Sequence, residues 1–99
     1  MVDISTVITW QRNWSLRTFG RGKRTEGLCR HIEKELAEIR AKPDDVEEWI
    51  DVMLLAMDGA WRAGATPAEV EKALIRKQDK NFDRKWVVGA QDEPCEHVR

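Results

Sequence analysis

Residues 44–64 read DDVEEWIDVMLLAMDGAWRAG, and this run decides the fold. From Ile50 to Ala60 only Asp51 and Asp58 carry polar side chains, so apolar positions nearly encircle the axis of a helix. Such a helix is expected to be buried. Asp44 with Glu47 three residues later forms a capping-box-like start, and Gly64 supplies the stop. Directly downstream, Thr66-Pro67-Ala68-Glu69 places a cap, a proline at the first helical position and the glutamate that completes the box; it opens a fourth helix reaching about Lys85. Upstream, residues 25–40 read TEGLCRHIEKELAEIR, with Thr25 as cap and Leu28, Ile32, Leu36 and Ile39 on one stripe. Ala41 to Asp44, with Pro43 inside, form a short link that favours antiparallel neighbours. Ser5 caps a first helix whose Val7, Trp10 and Trp14 share a face, and which ends before Phe19-Gly20-Arg21-Gly22. Almost nothing alternates with a strand period. The expectation is an all-α, four-helix bundle-like protomer over residues 1–86, followed by a C-terminal tail at 87–99.

The 99 residues suffice for one domain and exclude a barrel or a two-domain dinucleotide enzyme. Lysine and arginine number 17 against 18 acids, a net charge of −1, which argues against a general polyanion binder; nucleic acid is not an expected partner. The longest apolar run, Val52 to Met57, is far short of the ~20 residues of a membrane span, and no signal pattern opens the chain. The expected compartment is therefore the cytoplasm, with no membrane partner. Cys29 and Cys95 lack metal-site or disulfide spacing and read as free thiols.

The acids carry the chemistry. On the second helix Glu35 points with the apolar stripe, and His31 and Glu38 flank it. On the third, Glu48, Asp51 and Asp58 share one strip with Leu55 and Arg62. Acids on helices ordinarily face solvent or pair with a nearby cation. Two facing acidic strips argue otherwise. Antiparallel helices bring Glu35, Glu38, Glu48 and Asp51 together, and four carboxylates at close range repel one another unless divalent cations sit among them. Oxygen-only donors suit Mg²⁺ or Mn²⁺. The fourth helix supplies positive charge: the face of Val70, Ala73 and Leu74 continues as Lys77, Asn81 and Arg84, a phosphate-like recognition surface. The loop from Arg17 to Arg24 adds four cations and two glycines before a helix N-terminus. Trp10 and Trp14, on Val7's face, read first as packing residues and second as base-stacking ones.

Glu35-Leu36-Ala37-Glu38 followed by Glu48-Trp49-Ile50-Asp51 resembles the paired acidic motifs of the all-α NTP pyrophosphatases, the MazG-like superfamily. Arg17-Thr18-Phe19-Gly20, His31 to Leu36, Glu47 to Val52, Asp58 to Gly64 and Lys77-Gln78-x-Lys80-Asn81 resemble a narrower branch, the phage and bacterial dATP/dGTP diphosphohydrolases of the MazZ-like group. Lys34 stands where the superfamily has a leading glutamate, and only residues 39–47 separate the acidic pairs.

The resemblance implies Mg²⁺- or Mn²⁺-dependent hydrolysis of a purine deoxynucleoside triphosphate, dGTP or dATP, to the monophosphate and pyrophosphate. Glu35, Glu38, Glu48 and Asp51 would hold the metal, with Glu38 a candidate proton acceptor. Lys77, Asn81, Arg84 and Arg21 would contact phosphates, and Trp14, His31 and Asp58 complete the expected substrate site. It further implies a homodimer or homotetramer, in line with a small chain whose fourth helix carries a second apolar patch at Ile75 and Phe82. The competing readings are a related pyrophosphatase for pyrimidine or modified nucleotides, a non-catalytic helical binding module, and a small nucleic-acid binder using the basic loop.

Overall fold

The computed structural model describes residues 1–98, which form four helices and a small ribbon. Helix α1 spans Ile4–Phe19, α2 Thr25–Ala41, α3 Val46–Arg62 and α4 Pro67–Asp83. The all-α expectation holds, and the capping box of Thr66 and Glu69 is present with Pro67 at the first turn. Gly64, at φ 115°, takes the left-handed conformation that stops the chain after α3.

The other three helix starts differ by one or two residues. Asp3, not Ser5, caps α1: its carboxylate accepts from the Thr6 amide at 2.9 Å and from both nearby hydroxyls. A charged acceptor suits the positive end of the helix dipole, and the Ser5 amide is taken by Glu71 of α4 at 3.1 Å. Asp45, not Asp44, caps α3, because a turn closed by Asp45 N–H on the Lys42 carbonyl places Pro43 and Asp44 in the connection. Thr25 is already helical in α2, and Arg24 stands at the cap without a side-chain bond. The path into α2 is fixed by a tertiary contact instead, from Arg62 to the loop carbonyls.

Helix α2 packs on α3, while α1 packs on α3 and α4, and α4 also meets α3. Ile8, Met57 and Trp61 form the core where α1 and α3 meet, with Ile4, Leu16, Leu54 and Val70 against it. The inward stripe of α1 is therefore Ile4, Ile8 and Ser15 rather than Val7, Trp10 and Trp14, which are 37%, 59% and 51% exposed. Both stripes have helical spacing; the polar one wins because its Ser15 and Gln11 find partners on α3. Helix α3 is buried at its C-terminal half, through Met57, Asp58, Trp61 and Arg62, but Trp49, Ile50 and Met53 are exposed. Four helices do not supply enough neighbours to cover all sides of it.

The segment expected as a tail turns back on itself. Strands β1 (Trp86–Val87) and β2 (Glu96–His97) pair antiparallel, with Trp86 opposite His97. Among the described residues, no helix is long and apolar enough to cross a membrane.

Candidate active site

A cavity of about 520 Å³ lies between α1, α2 and α3. One end is acidic. Glu48 and Asp51 stand three residues apart on α3, on the same face, and Glu35 meets them from α2. One carboxylate oxygen from each lies within 4.8 Å of the other two. Glu48 is half-buried, and its burial pushes the carboxyl above the ordinary range; the charges of Glu38, Asp45 and Asp51 push it the same way, against Lys42. Glu35 is mostly covered, its side chain 15% exposed, and His31 Nε2 lies 3.2 Å from its Oε1. Carboxylate oxygens of this kind are the hard donors that Mg²⁺ and Mn²⁺ take, so the three residues could hold such an ion.

Much of the remaining lining is apolar and aromatic. Trp14 and Phe19 meet edge to face at 5.5 Å, and Leu28, Leu54 and Leu55 continue the surface. The Arg24 guanidinium lies 4.4 Å from the centre of the Phe19 ring and also lines the cavity.

Asp58 and Gln11 form part of the lining. Gln11 donates its amide N–H to Asp58 at 2.9 Å and accepts from the Trp61 indole at 2.6 Å, so both ends of that amide are fixed. Asp58 also accepts from Ser15 and from Arg62. Burial pushes the Asp58 carboxyl up, but the bonds from Ser15, Gln11 and Arg62, with the Arg62 charge, outweigh it and hold the group below its ordinary value.

Of the residues expected in the site, Glu35, Asp51, Trp14, His31 and Asp58 line this cavity, and Glu48 joins Glu35 and Asp51 without lining it. Glu38 stands close enough to raise the Glu48 carboxyl but is outside the three-carboxylate group. Asp58 is engaged by three side-chain donors, which makes it a structural acid at the cavity wall. Arg21, Lys77, Asn81 and Arg84 are not among the lining residues. Helix α4 packs on the α1 and α3 side of the molecule, away from α2, and this separates its cations from the acids within one chain. Asn81 instead accepts from Arg84 at 3.3 Å and, through its carbonyl, from the Trp86 indole at 3.0 Å. Sequence reasoning missed Gln11, and it quoted Phe19 in a motif and Arg24 in the basic loop without assigning either to the site. The spacing of Ile8, Gln11 and Ser15 on one face of α1 was the available signal for Gln11.

A family model described as dATP/dGTP pyrophosphohydrolase matches residues 7–99. The chain belongs to this family. The match takes in α1 from residue 7 and all of α2, α3 and α4, and continues beyond Trp86 through the ribbon. No curated protein and no solved structure gave a match. As a dATP/dGTP pyrophosphohydrolase the protein is a nucleoside triphosphate diphosphatase, an enzyme and not merely a helical binding module.

Proposed function

We propose that this pyrophosphohydrolase uses Mg²⁺ or Mn²⁺, held by Glu35, Glu48 and Asp51, to hydrolyse dGTP and dATP between the α- and β-phosphates in the cytoplasm. The observation that carries the reading is a group of three convergent carboxylates, two of which, Glu35 and Asp51, line a cavity that Trp14 and Phe19 also line. A cation bound there would neutralise charge on the α-phosphoryl group and lower the pKa of a coordinated water. Glu38, beside Glu48 but outside the group, is the carboxylate free to take the proton of the attacking water. Trp14 and Phe19 offer a surface on which a purine ring stacks, with Leu28 and Leu54 keeping water from it. His31 holds position against Glu35.

Assembly belongs to the same reading. Trp49, Ile50 and Met53 on α3 and Leu74, Ile75 and Phe82 on α4 are all more than 40% exposed, and apolar surface of that extent favours a homodimer or homotetramer. Lys77 and Arg84 reach a triphosphate only if a neighbouring copy presents them.

The test is a panel of the four deoxynucleoside triphosphates incubated with purified protein, with nucleotide products resolved by HPLC and pyrophosphate quantified. The expected result is dGMP and dAMP with equimolar pyrophosphate in Mg²⁺ or Mn²⁺, and no turnover in EDTA. Equal turnover of dCTP and dTTP would overturn the purine assignment, and unchanged rates in EDTA would overturn the metal one.

A further inference from the structure

The molecule's most buried ion pair joins Arg62 to Asp58, with side chains 2% and 5% exposed. A guanidinium so fully withdrawn from water needs acceptors for its N–H groups. Asp58 takes Nε–H, and Ser15 Oγ takes Nη2–H at 3.0 Å. Nη1 reaches out of its own helix. It donates to the carbonyls of Gly20 at 2.8 Å and Gly22 at 2.9 Å, both in the loop that joins α1 to α2. Those glycines have φ of 85° and 94°, a conformation side-chain-bearing residues rarely adopt. The loop therefore follows a glycine-dependent path whose carbonyls are gripped by a buried arginine.

The grip has a consequence at the loop's end. Arg24, two residues after Gly22, caps α2 without any side-chain bond of its own to the helix. It lies over Phe19 and lines the same cavity as Glu35 and Asp51, two of the three grouped carboxylates. Among the described residues it forms no ion pair, so its charge is available to an anion. Lysine in place of Arg62 would keep a positive charge beside Asp58 but not the planar fork that spans two carbonyls.

We infer that Asp58, Ser15 and Arg62 form a clamp on the Gly20–Gly22 backbone that presents Arg24 to the polyphosphate of the bound nucleotide. Arg24 is the substrate-contacting group, and Arg62 and Asp58 are positioning residues. The inference rests on the nucleotide site proposed above and adds to it the cation that the acids of α2 and α3 do not provide.

A double-mutant cycle on KM for dGTP and dATP tests it, using Arg24→Ala, Arg62→Lys and the pair, with far-UV circular dichroism and Tm recorded for each. Arg24→Ala should raise KM roughly tenfold or more, as expected for loss of a charge-assisted bond to phosphate. Arg62→Lys should raise KM severalfold with kcat little changed, and should speed tryptic cleavage after Arg21 and Lys23. In the Arg24→Ala background Arg62→Lys should raise KM no further, although its effect on Tm persists. If the two KM effects multiply, or if Arg62→Lys lowers Tm while KM stays at the wild-type value, the clamp is overturned. Wild-type protein that releases no pyrophosphate defeats the proposed reaction, and the clamp with it; turnover with multiplying KM effects defeats the clamp alone.

Discussion

Glu35→Gln is expected to lower kcat roughly a thousandfold, since a bound cation contributes several kcal/mol of transition-state stabilisation and each 1.36 kcal/mol is tenfold in rate. The substitution keeps size and shape and removes only charge. Glu35 is the sole carboxylate of the convergent group supplied by α2, so without it Glu48 and Asp51 are left as a pair on one helix. The helical fold should survive, because no core contact depends on this carboxylate. Metal-free Glu35→Gln should melt no lower than metal-free wild type, since a member of a mutually repelling set has been neutralised. Mg²⁺ should then raise the Tm of wild type and leave that of Glu35→Gln unchanged. Pyrophosphate release under saturating dGTP and a pair of melting curves check both statements. Near-wild-type kcat would remove Glu35 from the site.

Asp58→Ala should cost about 3 kcal/mol of stability, because removing one partner of a buried ion pair leaves the other charge uncompensated. For a domain of this size that corresponds to roughly 12–24 °C in Tm. The loss is large because Asp58 serves four neighbours through one carboxylate: Gln11 and Ser15 on α1, Arg62 on its own helix, and through Gln11 the indole of Trp61. Asp58→Asn keeps acceptor capacity and should lose less. The pH dependence has a definite sign. The folded carboxyl lies below its unfolded value near ~3.9 because hydrogen bonds and Arg62 favour the charged form. Its contribution is therefore present above the unfolded pKa and is lost as pH falls toward the folded one. Urea unfolding should show the full wild-type advantage at pH 7 and a shrinking one below about pH 4. An advantage that is constant across that range would mean packing, not charge, makes Asp58 important.

What could be read from the sequence depended on how local its cause was. The Thr66 to Glu69 start of α4 was legible because cap, proline and box glutamate all act within one turn. Asp44 and Asp45 are equally competent caps one residue apart, and the turn from Lys42 chooses between them, so α3 was found with its start displaced. The convergence of Glu35 with Glu48 and Asp51 was legible because Glu35 shares the stripe that α2 presents to α3, and Glu48 and Asp51 share a face of α3. Lys77 and Asn81 lie four residues apart on α4, but the helix ends at Asp83 and Arg84 is its extended C-cap, so the cationic face expected to run on to Arg84 stops short of it. What periodicity does not specify is which helix that face meets, and the topology sets α4 on the far side of α3 from α2. Gln11 was missed, and Arg24 was left unassigned within its basic loop, for a related reason. Their roles depend on which of two adjacent stripes of α1 turns inward and on a loop held by an arginine 40 to 42 residues away in sequence.

A titration of the metal-stripped protein with Mn²⁺, followed by the electron paramagnetic resonance signal of the free ion, addresses the three-carboxylate centre without recourse to turnover. Wild type should bind Mn²⁺ saturably, and Glu35→Gln and Asp51→Asn should each weaken that binding tenfold or more. No saturable binding to wild type, or equally tight binding to both carboxamide variants, would show that Glu35, Glu48 and Asp51 do not gather a cation.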